Sequence, residues 1–141
     1  MLLSQAQDPT GQSADRVRRS TDTELNRQID LQTDANIKSY SSRGREAVLR
    51  RIEALDCEWD VERVLEVNAS TLAPSGLVLG VTVNKKWLLV PGVVLSFLLQ
   101  HGLQGWCPPL PVLRRLGIRT RGEINREKYA LKASLDSGAT S

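Results

Sequence analysis

Apolar side chains are sparse at the start of the chain and dense in its middle, and their spacing changes along the way. From residue 1 to about 40, Ser, Thr, Gln, Asp and Arg dominate, with Leu25, Ile29, Leu31 and Ile37 as the main aliphatic residues. That is too little apolar surface to offset the entropy of ordering, so 1–20 is expected to be disordered and the rest of 1–40 weakly helical. Val48, Ile52, Leu55 and Trp59 then fall at i, i+4, i+7 and i+11. This is one stripe of an α-helix and predicts an amphipathic helix over 43–57 within a 41–60 segment. Asp60 is placed to cap a further helix starting near Val61.

The pattern changes after Glu66. No charged residue stands between Glu66 and Lys85, and none between Lys86 and Arg114; the second gap, 87–113, is 27 residues with His101 counted as neutral. A bilayer core of about 30 Å is crossed by roughly 20 apolar residues in a helix. Trp87 and Trp106 lie nineteen positions apart, about 28 Å along a helix, which fits one indole at each membrane interface. The fold class expected is therefore all-α: a two-helix transmembrane hairpin over 61–113, flanked by amphipathic cytoplasmic helices. Small residues supply a packing device, because Gly76 and Gly80 form a G-x-x-x-G and Gly92 and Ser96 a second small pair. Such spacing lets two helix backbones approach closely in lipid. Packing inside the hairpin is the expected use, and self-association into a homodimer a further one.

Beyond Trp106, Pro108 and Pro109 end the second span. A short helix over 110–116 closed by Gly117 is expected next, then a T-x-x-E capping box at Thr120 and Glu123. Ile124, Leu131 and Leu135 share one face of a basic amphipathic helix in the 114–136 segment, with 137–141 disordered. Charge sharpens this picture. Residues 1–64 hold ten Lys plus Arg against twelve Asp plus Glu, while 65–141 hold nine against four. Residues 114–133 carry seven of those bases and 45–64 carry four Arg, against two Lys in the connection between spans, so both termini are predicted cytoplasmic. Arg114, Arg115, Arg119 and Arg121, with Trp87 and Trp106, are read as membrane-interface residues. The lipid bilayer and its anionic headgroups are the expected partner. With one Phe, two Tyr and three Trp, the chain lacks the aromatics that a nucleic-acid platform interleaves with its bases, so no nucleic acid is expected.

Cys57 and Cys107 are the only cysteines. No zinc spacing surrounds them, and no metal or cofactor is expected. The first residues carry neither a basic leader nor an apolar run, so no cleaved secretion signal is expected. Phosphate loops, metalloprotease motifs and nucleophile elbows are absent from the sequence, which leaves no catalytic motif.

Three runs carry a family likeness: C-E-W-D-V-E-R-V-L-E-V-N-A over 57–69, L-Q-H-G-L-Q-G-W-C-P-P over 99–109, and R-T-R-G-E-I-N-R-E-K-Y-A-L-K over 119–132. Together they resemble the YgaP-like inner-membrane transmembrane-domain family, over roughly residues 20 to 135. That resemblance implies a two-helix module of the bacterial inner membrane, in most members without an assigned activity. Some members join it to a rhodanese domain that moves sulfane sulfur on a cysteine. This chain has no C-R-x-G-x-R-type loop, and Cys57 lies among acids that disfavour a thiolate. Cys107 is the one weak catalytic candidate. On a continuous helix it would share a face with Gln100 and Gln104, and Arg114 and Arg115 beyond it would lower its pKa. The functional expectation is a non-enzymatic membrane anchor or assembly hairpin. Two alternatives stand beside it, a persulfide-handling protein using Cys107 and a soluble helical bundle whose apolar segments form its core.

Overall fold

The computed structural model describes residues 16–138, and every regular element among them is helical. After a helical stretch over 16–19, the helices are α1 (Thr23–Ser41), α2 (Arg45–Cys57), α3 (Val61–Thr82), α4 (Leu89–Gln104), α5 (Leu110–Arg115) and α6 (Arg121–Gly138). A 3-10 turn, Lys85–Leu88, joins α3 to α4.

The polar stretch expected to be weakly helical is instead a nineteen-residue helix, α1. Asp22 caps it by accepting from the Glu24 N–H at 2.7 Å, and Ile29 and Thr33 are buried against the neighbouring helices. Its few aliphatics are supplemented by Asp30 and Asp34, which take Arg18 and Arg126 from elsewhere in the chain. Tertiary ion pairs supply what local hydrophobicity lacks. The part of the expected disordered tail over 1–15 lies outside the described residues, as does 139–141, whereas 137–138 belong to α6.

Along α2, Val48 and Leu55 are buried and Ile52 packs beside them. Trp59 leaves the predicted stripe because the helix stops at Cys57 and Glu58 is extended; the indole stays 47% exposed with the Arg63 guanidinium 4.7 Å from its ring centre. Asp60 caps α3 as expected, its Oδ1 accepting from the Arg63 N–H at 2.8 Å. Ser70, Thr71, Ser75 and Thr82 each return a hydroxyl hydrogen bond to the carbonyl four residues back, which satisfies polar groups on an otherwise apolar helix. Pro91 sits in the first turn of α4, where a missing N–H breaks no intrahelical bond. Gly105 ends that helix at φ 74°, a left-handed conformation suited to glycine.

Two small cores hold the molecule. Val17, Val61, Leu65, Cys107 and Leu110 form one, and Val48, Leu55, Ile124 and Leu131 the other. The first draws on the 16–19 stretch, the first turns of α3, Cys107 and α5, and the second on α2 and α6. The capping box at Thr120 and Glu123 forms, with Ile124, Leu131 and Leu135 on the core face of α6.

Candidate functional site

Two surfaces distinguish this molecule, and the first is apolar. The buried residues of α3 are Val61, Leu65, Ala69, Gly76 and Gly80, one stripe that shrinks in size along the helix. A methyl group at Gly76 would lie 2.7 Å from Pro91 Cδ and 2.9 Å from Val90 Cβ, and one at Gly80 would lie 2.4 Å from Leu88 Cδ2. Gly76 therefore faces the chain's own α4 and Gly80 the 3-10 turn that leads into it, so both are closed to a second copy. Gly92 meets nothing within 4 Å, and Ser96 turns its hydroxyl to the Gly92 carbonyl, so this small pair takes no part in the α3–α4 contact.

Two helices are long and apolar enough to cross a membrane. The most apolar windows of Arg45–Thr82 and Lys85–Gln104 are only 22% and 6% buried, and α4 contributes no buried residue at all. Leu77, Val78 and Val81 on α3 and Leu89, Leu95, Leu99 and Leu103 on α4 are more than half exposed. Trp87 and Trp106 stand exposed, one in the 3-10 turn and the other just past Gly105.

The second surface is where the basic residues went, and it departs from the expected headgroup contact. Arg114 is 1% exposed and clamps Glu123 with both Nη atoms at 2.7 Å, one of which also donates to Asn26 Oδ1 at 2.9 Å. Arg119 is 7% exposed; it grips Glu58 at 2.8 and 2.6 Å and reaches Glu127 at 2.5 Å. Glu127 accepts from Arg51 Nε on its other oxygen, and Glu123 accepts from Arg18 at 2.6 Å. Arg121 holds Asp60 at 2.7 Å, and the Val61 N–H donates to the Arg119 carbonyl, which fastens the start of α3 to the start of α6. Of the four arginines read as interface residues, only Arg115 is exposed and has no ion pair or hydrogen bond among the described residues. The physical reason is burial: a guanidinium removed from water needs a carboxylate, and α6 presents two, one turn apart.

Burial opposes the charge of Glu123, yet the hydrogen bonds and charge of Arg114, together with the Thr120 N–H and Arg18, outweigh it and hold the carboxyl below its ordinary range. Glu127 is lowered in the same way by Arg51 and Arg119. Sequence reasoning saw Glu123 only as a cap and missed Arg18, Arg51, Glu58 and Glu127 altogether. The available signal was the i, i+4 spacing of Glu123 and Glu127 beside the apolar stripe of α6.

Cys107 does not continue the α4 face carrying Gln100 and Gln104, because the helix ends at Gln104. Its side chain is buried among Val17, Val61, Leu65 and Leu110, and burial pushes the thiol pKa up. Arg114, expected to lower it, is held by Glu123. His101 is half-buried, and its Nδ1 is buried without a hydrogen-bond partner. Among the described residues no group of three or more His, Cys, Asp or Glu is placed to hold a metal ion. No protein-family model, no curated protein and no solved structure matches the chain.

Proposed function

We propose that this chain is a non-enzymatic integral-membrane module. In this reading α3 and α4 form a helical hairpin in the bilayer, and α1, α2, α5 and α6 stand as an ion-paired bundle on its cytoplasmic face. The observation that carries it is the 6% burial of the most apolar window of Lys85–Gln104. A soluble helical bundle would enclose such a helix, since each large aliphatic side chain gains about 1.5–3 kcal/mol on burial. The cores of this molecule are instead built from other residues. Exposed Leu and Val at about −0.3 to −0.6 kcal/mol each favour insertion.

Orientation rests on the two Lys of the connection against seven Lys plus Arg in 114–133. Both ends of the pair adjoin the polar bundle, and the same bundle holds residues before α3 and after α4 through Arg119–Glu58. The likeness to the YgaP-like inner-membrane family accords with this reading and favours the bacterial inner membrane as its location. Cys107 takes no part in it.

Membrane fractionation with carbonate washing tests the proposal, together with accessibility labelling of Lys85→Cys against probes in the two tails. Retention in the washed membrane, with position 85 labelled from the opposite side to both tails, is the expected outcome. A folded monomer in detergent-free buffer, or tails on opposite faces, would overturn it.

A further inference from the structure

α5 joins the apolar helix pair to the ion-paired bundle, and its two faces differ. Leu110 is buried in the core that holds Val61 and Leu65 at the start of α3, and Arg114 is buried against Glu123. The opposite face carries Pro109, Val112 and Leu116, at i, i+3 and i+7, one stripe running from the N-cap of the helix to its end. Val112 is 59% and Leu116 72% exposed, and Pro109 is exposed as well. The stripe does not stand alone. Pro109 lines an apolar groove with Leu72 of α3 and Phe97 of α4, so at its first residue the stripe is continuous with the flank of the helix pair.

Packing also sets the height of α5 along that pair. Leu65, in the core with Leu110, is followed by Glu66, the last charged residue before Lys85. Trp106 stands exposed just ahead of α5, and Arg115 on α5 is exposed with no ion pair or hydrogen bond among the described residues. α5 therefore lies against α3 where charged side chains give way to apolar ones.

We propose that α5 lies in the plane of the cytoplasmic bilayer interface, with Val112 and Leu116 immersed at the boundary of headgroups and acyl chains and the Arg115 guanidinium among the headgroup phosphates. An apolar face edged by a base and an indole is the composition that such in-plane segments use. The inference rests on the hairpin reading of α3 and α4 and adds to it that the bundle is docked on the lipid surface instead of being held clear of it. Lipid is the occupant favoured over protein for two reasons. The stripe begins on the flank of helices that, in that reading, already lie in lipid, and Arg115 offers an unpaired cation to an anionic headgroup.

Spin labels on the whole chain, reconstituted into vesicles of phosphatidylcholine and phosphatidylglycerol, test this. With Cys57→Ser removing the exposed native thiol, labels are placed by Val112→Cys and Leu116→Cys. Leu95→Cys in α4 and Leu31→Cys, 54% exposed on α1, serve as references. Relaxation by oxygen, which concentrates in lipid, is expected to exceed relaxation by a water-soluble nickel chelate at 95, 112 and 116. Positions 112 and 116 are expected about 5–10 Å inside the interface and shallower than 95, and the preference is expected to reverse at 31. Labels at 112 and 116 as open to nickel as 31, beside a lipid-exposed 95, would overturn the inference and leave the hairpin standing. Protection of 112 and 116 from both reagents would mean that protein covers the stripe, and overturns it too. A label at 95 open to nickel would overturn the hairpin reading, and this inference with it.

Discussion

The polar bundle and the apolar helix pair accommodate their buried polar groups in opposite ways. In the bundle, arginines and glutamates pack into the interior and are matched one to another: Arg114 with Glu123, Arg119 with Glu58 and Glu127, Arg51 with Glu127. In the pair, charged side chains are missing for most of two helices, hydroxyls fold back on their own backbone, and glycines bring the helices close. The bundle owes its order to specific partners from distant sequence. The pair owes its order to shape, and it leaves its large apolar side chains facing outward. One region is thus sensitive to the loss of a single charge, and the other to the gain of a single methyl group or charge.

That contrast can be broken at its strongest point by removing one charge from the bundle. Glu127→Gln leaves Arg51 and Arg119 without their shared carboxylate and is expected to cost about 3–5 kcal/mol. Chemical denaturation followed by hydrogen exchange should show α1, α2 and α6 loosened while α3 and α4 keep their protection; uniform loss across all helices would mean that the two regions are one cooperative unit. Acid should act the same way. The Glu123 and Glu127 pKa values lie below the ordinary 4.5, so their stabilisation is fully present above that pH. It is lost as the pH falls through the lowered folded values. A bundle unaffected by acidification well below pH 4.5 would contradict this.

Next in size is a charge placed on the other region. Leu95 is 52% exposed, so in water Leu95→Asp would change stability by less than about 0.5 kcal/mol. In a bilayer the same change costs about 3 kcal/mol on an insertion scale. The membrane-inserted fraction, measured in a glycosylation-mapping or protease-protection assay, distinguishes the two directly.

A methyl group makes a finer probe. Gly76→Ala drives its Cβ against the rigid Pro91 ring and the Val90 Cβ and is expected to destabilise the pair by about 1–3 kcal/mol. Gly80→Ala meets the Leu88 side chain at Cδ2 and Cγ, which can turn away, and its backbone N at 3.2 Å, and should cost less than Gly76→Ala, whereas Gly92→Ala meets nothing within 4 Å and should cost least. Thermal unfolding in detergent should rank the three variants in that order. Smallest of all is the expected effect at Cys107. Its buried thiol should take no persulfide after thiosulfate or polysulfide treatment of the folded protein, and maleimide should modify exposed Cys57 first. A persulfide adduct on Cys107, read by mass spectrometry, would reopen a sulfur-handling role.

Much of the architecture was legible in the residues. The charge gaps marked α3 and α4, Asp60 and Gly117 marked a start and a stop, and the T-x-x-E box marked α6, because each of these signals acts over one or two turns. The stripe of Val48, Ile52 and Leu55 was correct for the same reason, and Trp59 failed it because the extended backbone at Glu58 cuts the helix short. Less legible was α1, whose partners Arg18 and Arg126 come from outside the helix. The destination of the basic residues was the least legible, since a row of arginines in sequence looks the same whether it faces a headgroup or a glutamate.

Local chemistry by itself determined that the chain would be helical, where its apolar helices would run, and which residues would cap and break them. These depend on backbone hydrogen bonding and on side-chain spacing within about ten residues. Only the tertiary structure decided that Arg114 and Arg119 lie inside while Arg115 stays outside, that Gly76 packs on α4 and Gly80 on the 3-10 turn while Gly92 stands open, and that Cys107 is packed away. Each of those outcomes depends on which helix arrives opposite a given face, and that is fixed by pairing and packing across distant segments, with Arg119 and Glu58 sixty-one positions apart.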